Sequence, residues 1–260
     1  MMTLVEEEKR STSAPPGAGE DWTIPQRWER FTPEDHRVWD TLFARQRRKL
    51  AGRVVGTFDK GLETLRLSRS GIPDFDDLNE RLFARTGWTV VAVPGLLPDE
   101  IFFGHLARRR FPAGNFIRPA SSQGYLEEPD VLHDVFGHVP MLSDRWFADF
   151  MQQLGVKGLK AAASGCGEAF SRLYWYTVEF GLAREEGALR VYGAGLASSF
   201  GEAGYALDSA RPERRVFDLD AVLASPYRAD RFQPLYFVID GLEALRSLDF
   251  ARLEERLAAL

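Results

Sequence analysis

Cysteine is nearly absent. The 260 residues include a single one, Cys166, so the chain cannot close an internal disulfide or build a thiolate cluster. Histidine is scarce as well, with four residues at positions 36, 105, 133 and 138. No run approaches the roughly eighteen apolar residues of a membrane span. The N-terminal stretch MMTLVEEEKRSTSAPPGAGE lacks the apolar centre of a secretory signal, so the expectation is a cytoplasmic protein with no membrane partner. An excess of positive charge is missing too, because 33 Lys and Arg are interspersed with 38 Asp and Glu for a net charge of −5. The densest basic clusters, RQRRK at 45–49 and RRR at 108–110, are read as solvated helix faces, and no nucleic-acid partner is expected. There are no internal repeats, and the leucine stripe over 241–260 stops too soon for a coiled-coil seam.

What is present is core material. Hydrophobic residues make up 45% of the chain, enough for one large domain at 21–260, whereas residues 1–20 are polar and rich in Pro, Gly and Ser and are expected to be a disordered tail. Thr32-Pro33-Glu34-Asp35 combines an N-cap, a first-turn proline and first-turn acids. With the stripe Val38, Trp39, Leu42, Phe43 and Leu50 it predicts a helix to about residue 50. Further helical patterns follow at 61–67 and 75–85, WTVVAV at 88–93 predicts a buried strand, and Pro98 opens a helix carrying Ile101, Phe102, Phe103 and Leu106. Residues 144–154 and 168–184 are helical in period, 216–219 and 235–239 read as short strands, and 241–260 as a final helix. His36, in a first helical turn, reads as a solvated residue, and His105 as hydrogen-bonded or exposed.

The other two histidines share the stretch EEPDVLHDVFGHVPMLS at 127–143. Pro129 and Asp130 form a helix start, with Asp130 as cap ahead of Val131, Leu132, Val135 and Phe136. On a regular α-helix, five residues at about 100° each leave His133 and His138 roughly 140° apart. A helix loosened at Gly137, ahead of Pro140, would close that gap. Two readings stand: a shared metal ion, since neutral imidazole is the commonest metal ligand, or two hydrogen-bonded histidines on a core helix. Glu179, set between Val178 and Phe180, must find a cation, a metal or a donor, and is the best carboxylate partner for the pair.

Two histidines and one carboxylate hold either Fe(II) that activates oxygen or Zn(II) that activates water. A zinc hydrolase of the common helical type places a glutamate directly after its first histidine. Here Asp134 follows His133, and the second histidine lies one residue too far. Phe102, Tyr174, Trp175, Phe180 and Trp146 would line the site for a flat apolar substrate, which favours iron. A zinc-dependent hydrolase and a non-catalytic metal- or amino-acid-binding protein are the competing classes.

The stretches VPGLLPDEIFF at 93–103, FIRP at 116–119, EPDVLHDVFGHVPMLSDRWFADF at 128–150, YWYTVEFGL at 174–182, YGAGLASSFGE at 192–202 and FQPLYFV at 232–238 form a specific set. In family order, from about residue 22 to 246, the chain resembles the pterin-dependent aromatic amino acid hydroxylases, most closely the single-domain bacterial branch acting on phenylalanine. The resemblance implies a mainly α fold with a few short β-strands, and Fe(II) held by His133, His138 and Glu179. It implies a tetrahydropterin at Leu97 and Phe102, bordered by Asp134 and Tyr174. The substrate carboxylate would be gripped by Arg118 with help from Ser198, its ring walled by Pro129, His133 and Trp175, and Glu202 would orient this shell. The implied reaction is hydroxylation of L-phenylalanine to L-tyrosine with O2, a step of phenylalanine catabolism. Trp175 stands where tryptophan hydroxylases carry phenylalanine, and Ala229 where tyrosine hydroxylases carry aspartate, so both speak against these two alternatives within the family. Leu126 departs from the threonine that animal members place near the substrate carboxylate. The regulatory domain and tetramerising coiled coil of animal members are missing, which implies a monomer.

Overall fold

Capping chemistry at Thr32 starts the first long helix. In the computed structural model, which describes residues 14–121 and 128–258, the Thr32 hydroxyl accepts from the Asp35 N–H and the Asp35 carboxylate accepts from the Thr32 N–H at 2.7 Å. This reciprocal cap opens α1 (Pro33–Leu50), whose stripe of Val38, Trp39, Leu42 and Leu50 is buried. Helix α2 (Gly56–Thr64) begins earlier than the apolar pattern at 61–67 suggests. Its first N–H is satisfied from far away, by the Glu185 carboxylate at 2.9 Å, a cap that local sequence does not announce. Helix α3 (Phe75–Thr86) has its own cap in Asp74.

Strand β1 (Thr89–Val93), helix α4 (Asp99–Ala107) and strand β2 (Arg110–Gly114) make a parallel βαβ unit. Pro112 hides β2 from a propensity reading, but the strand pairs on one side only, where proline is tolerated. Residues 14–20 carry turns, and Ala14 packs beside Trp22, Val93 and Leu97. The first thirteen residues of the expected tail, Leu126 and the terminal Leu260 lie outside the described residues.

A π-helical turn (Leu132–His138) then leads into α5 (Val139–Leu142), α6 (Arg145–Ala163) and α7 (Gly167–Tyr174). The single helix expected over 168–184 instead passes into a second π-helical turn (Trp175–Glu179) and gives way to β3 (Leu182–Glu185). Strand β4 (Ala188–Val191) returns through Glu186 and Gly187, both with positive φ (52° and 76°), the hairpin turn whose twist matches the strands it joins. Helices α8 (Ala194–Ser198) and α9 (Glu202–Asp208), strand β5 (Glu213–Val216), α10 (Leu219–Ala224) and β6 (Leu235–Ile239) complete a sheet of order β4-β3-β6-β5. The strand expected at 216–219 thus sits at Glu213–Val216. The final helix is divided: a 3-10 segment (Leu242–Ser247) stops ahead of Asp249, whose carboxylate accepts from Ala251 and Arg252 N–H to open α11 (Phe250–Ala258).

Two packing features hold the region of interest. Helix α6 lies against α4 through Gly155 and Gly158, and a β-carbon at Gly158 would collide with the ring of Phe103. Phe136, on the first π-helical turn, meets Phe43 of α1 and Phe58 of α2 edge-on at 5.2 and 5.6 Å and is fully buried. Losing such a ring costs about 3–5 kcal/mol, so the turn is anchored by its back face. No helix among the described residues is long and apolar enough to cross a membrane.

Candidate active site

The five-residue spacing of His133 and His138 is awkward only for an α-helix. The turn that carries them closes i→i+5, so residues five apart return to one face, and the two imidazole centroids lie 5.2 Å apart. The whole segment is widened, not Gly137 alone. The second π-helical turn ends at Glu179. Its carboxylate reaches both rings, Oε1 at 2.9 Å from His138 Nε2 and Oε2 at 3.6 Å from His133 Nε2.

Protonation follows from these surroundings. Burial pushes the His133 imidazole down to about 4 against the opposing pull of Glu179, so near neutral pH its lone pair is available to a metal. Burial pushes Glu179 up, but His138 and His133 beside it outweigh that and hold the carboxyl below its usual range. Ser198 Oγ lies 2.8 Å from His133 Nδ1 and leaves Nε2 to face Glu179, as a partner of a ligating histidine does.

Asp134 is a second carboxylate within reach, since ligand atoms of His133, Asp134 and His138 fit within 4.8 Å of one another. It is the weaker anionic donor. Its Oδ2 already accepts from the Gly114 N–H at 2.7 Å, and burial pushes its carboxyl up to about 7, toward the neutral acid. Glu179 is held in the opposite, ionised direction, and is the better third ligand.

These groups floor a cavity of about 620 Å³, which every site residue named from the sequence except Trp146 borders, as does Ala229. Leu97, Phe102 and Tyr174 line one part of it. The Phe102 ring meets Tyr174 edge-on at 5.3 Å, and the buried Tyr174 hydroxyl has no hydrogen-bond partner among the described residues. Pro129 and Trp175 line another part, with the indole stacked on Tyr227 at 4.1 Å and close to Phe180 at 4.5 Å. Trp146 is not there: it stacks on Phe150 at 5.8 Å beneath Arg246, because its helix turns that face to the 3-10 segment Leu242–Ser247 rather than to the cavity.

Arg118 is buried at the cavity wall, yet its fork is already engaged. Nε and Nη2 donate to Asp130 Oδ2 and Oδ1 at 2.7 and 2.8 Å, and the Arg118 N–H adds a third bond at 3.0 Å. What this edge of the guanidinium grips is Asp130, not a substrate, and Arg118 offers the cavity its charge. Asp130 Oδ1 also accepts from the His133 N–H at 3.0 Å, the cap expected of it, so one carboxylate joins the arginine to the histidine turn.

Several supports escaped sequence reasoning. Gln46 of α1 is fully buried and donates from Nε2 to the Ala197 and Ser199 carbonyls at 2.8 Å each, bracketing Ser198. Lys49 bonds the Phe200 carbonyl, and the Lys49 and Arg45 cations sit over the Phe200 ring at 3.7 and 4.4 Å. The RQRRK cluster is therefore in part a clamp on the site and not a solvated face. The signal was available in Gln46, a polar residue on the stripe between Leu42 and Leu50. Gln233 was missed as well; it accepts from the Trp175 indole N–H at 3.3 Å. His36 is half-buried rather than fully solvated, since its Nδ1 accepts from the Ile72 N–H at 3.0 Å and its ring lies 5.2 Å from that of Trp28. His105 is buried, and because a carbonyl only accepts, its Nε2 donates to the Asp21 carbonyl at 2.8 Å.

Two imidazoles and a carboxylate beneath aromatic walls are a donor set that can hold a single metal ion beside a flat organic molecule. Residues 23–253 match the biopterin-dependent aromatic amino acid hydroxylases, and the chain belongs to that family. It is 54% identical to the phenylalanine-4-hydroxylase of Caulobacter vibrioides over 253 residues, 96% of this chain and 86% of that protein. The phenylalanine hydroxylase of Chromobacterium violaceum with bound iron(III) and oxidized 7,8-dihydrobiopterin is similar at a TM-score of 0.88 and 48% identity, over 95% of this chain and 89% of that one. An iron- and phenylalanine-bound structure of the same enzyme gives 0.86 and 47%, over 95% and 90%.

Proposed function

We propose that the protein is a phenylalanine 4-monooxygenase, converting L-phenylalanine to L-tyrosine with O2 and a tetrahydropterin at a non-heme Fe(II) held by His133, His138 and Glu179. The observation that carries this is the meeting of Glu179 with both imidazoles, at 2.9 and 3.6 Å, on the floor of an aromatic-walled cavity. The donor set fits Fe(II), and three ligands leave coordination positions open. Tyr174 supports the pterin, because a buried hydroxyl without a protein partner next to Phe102 suits a flat heterocycle with a polar edge.

When bound, iron and pterin together supply the electrons that activate O2. The chain supplies the rest. Ser198 orients the His133 ring through Nδ1, and Glu179 keeps its charge toward both imidazoles. Arg118 sets a positive charge where the amino acid carboxylate would lie. Pro129 and Trp175 flank the ring, the walls exclude water, and the Ala229 methyl suits an unsubstituted ring. Glu202, which accepts from the Gln233 N–H and the Tyr236 hydroxyl at 2.8 Å each, ties the segment behind that wall. The reading places the enzyme in the cytoplasm, in phenylalanine catabolism.

Tyrosine formation from phenylalanine with Fe(II), a tetrahydropterin and O2, each omitted in turn, tests it. All three must be required. Hydrolytic activity with Zn(II) and no reductant would replace the reading with that of a hydrolase.

A further inference from the structure

We infer that Gln233 is a positioning residue that holds Trp175 and the loop carrying Ala229 in place at the cavity wall and thereby sets the choice of aromatic substrate. The inference rests on the proposed function, and it concerns the Gln233 side chain. Gln233 is 1% exposed, and its side-chain amide bonds Trp175 and the loop that carries Ala229. Oε1 accepts from the Trp175 indole N–H at 3.3 Å, while Nε2 donates to the Arg228 carbonyl at 2.7 Å and the Arg231 carbonyl at 3.0 Å. Its backbone N–H is held separately by Glu202 at 2.8 Å.

The geometry explains why an amide is needed there. Trp175 lies between Tyr227, at 4.1 Å and 16° between planes, and Phe180, at 4.5 Å. Stacking of this kind fixes the height of the indole but resists sliding and in-plane rotation only weakly. The bond to Gln233 is what stops that motion. The two carbonyls taken by Nε2 flank Ala229 and Asp230, so the same NH2 group pins the loop that brings Ala229 to the cavity. One side chain therefore ties the indole to the loop that carries Ala229. A hydrocarbon of the same length would fill the space and fix neither.

Gln233→Met keeps the backbone bond to Glu202 and close to the side-chain volume. Phenylalanine KM should rise about tenfold, the equivalent of one or two lost hydrogen bonds, with a smaller change in kcat. Less tyrosine should form per pterin oxidised, and larger rings such as tryptophan should gain relative to phenylalanine. In a Trp175→Phe background, which has no indole N–H to hold, the same substitution should cost several-fold less. Equal losses in the two backgrounds, or a lowered Tm with KM and preference unchanged, would make Gln233 a merely structural tie and overturn the inference. A measurement on the wild type guards against a variant that does not fold. The Trp175 indole 15N–1H resonance, assigned by its loss in Trp175→Phe, must exchange slowly with solvent before phenylalanine is added, and fast exchange overturns the inference. Wild type that forms no tyrosine sinks the functional reading and this one together, whereas active wild type with an indifferent Gln233→Met sinks this one alone.

Discussion

On the floor of the cavity, His133, Asp134 and His138 come from one π-helical turn of seven residues, and Glu179 ends a second such turn. The wall opposite is assembled otherwise: Arg118, Trp175, Ser198 and Ala229 come from separate segments and are tied by Asp130, Gln233 and Gln46 through bonds that span up to 153 residues. The floor takes its geometry from local backbone, anchored by Phe136 from behind. The wall takes its geometry from individual hydrogen bonds, each worth about 1 kcal/mol net. Changes at Trp175 and Ala229 should therefore alter the substrate and leave the metal, changes at the floor ligands should remove the metal and leave the fold, and Ser198, bonded to His133, should report on both.

The sharpest way to break that contrast is at the ligands. His133→Ala, His138→Ala and Glu179→Ala should each abolish stoichiometric iron binding and hydroxylation with the fold retained, because Asp134, the remaining donor within reach, is held by the Gly114 N–H and pushed toward the neutral acid. Metal analysis of the purified variants checks this, and full iron with retained activity in Glu179→Ala would be incompatible with the ligand set. His105→Ala is the control from outside the site. It loses a buried bond to the Asp21 carbonyl and should lower stability by about 1–3 kcal/mol while iron content is unchanged.

Arg118 is where floor and wall meet. Lysine keeps the charge but cannot hold Asp130 through two parallel bonds, and Asp130 also caps the His133 turn. Arg118→Lys should lower kcat/KM for phenylalanine by roughly ten- to a hundredfold, since charge-assisted pairs are worth about 1.5–3 kcal/mol. Steady-state kinetics on phenylalanine and on an analogue lacking the carboxylate separates the two routes. A smaller loss on the analogue means that the charge meets the carboxylate. An equal loss means that Arg118 acts through Asp130 on the floor.

The contrast also decides what could be read from sequence. Helix α1 was legible because its cap and its stripe are both local, and the floor motif was legible because its residues are contiguous. Even there, a 100° helical wheel set His133 and His138 on different faces, since nothing in residue types alone announces a π-helical turn. The start of α2 depends on Glu185, and β2 depends on having an edge for Pro112. RQRRK looked solvated because charge density says nothing of which neighbours a helix face meets. Gln46 and Gln233 act only through partners that the fold brings to them.

A pH experiment probes the junction more gently. Burial pushes the Asp130 carboxyl up, but the bonds and charge of Arg118 outweigh it and hold it below the usual range. A depressed folded value means that the contribution to stability is complete above the unfolded value, about 4, and is lost as pH falls through the folded one. The Tm difference between wild type and Asp130→Asn should therefore be constant from neutral pH down to about 4 and narrow below it. A difference that does not narrow on acidification would mean that the pair contributes no such linkage.

The smallest effect expected lies furthest from the chemistry, at Gln46. Ser198→Ala removes the partner of His133 Nδ1, and losses of this kind cost about ten- to a hundredfold in metal affinity. Gln46→Leu leaves that hydroxyl in place and only loosens the segment that presents it. Two bonds to the Ala197 and Ser199 carbonyls disappear, but so does Gln46 Oε1, which is buried without a partner and costs about 1–3 kcal/mol where it stands. These terms are of similar size and opposite sign. The Tm of Gln46→Leu should thus stay close to that of wild type while iron affinity falls by a few-fold, less than for Ser198→Ala. Competitive chelator titration beside thermal melts separates the outcomes. A fall in Tm with unaltered iron affinity would mean that Gln46 serves the core alone. Parity with Ser198→Ala would mean that the segment, and not its hydroxyl, holds the imidazole in place.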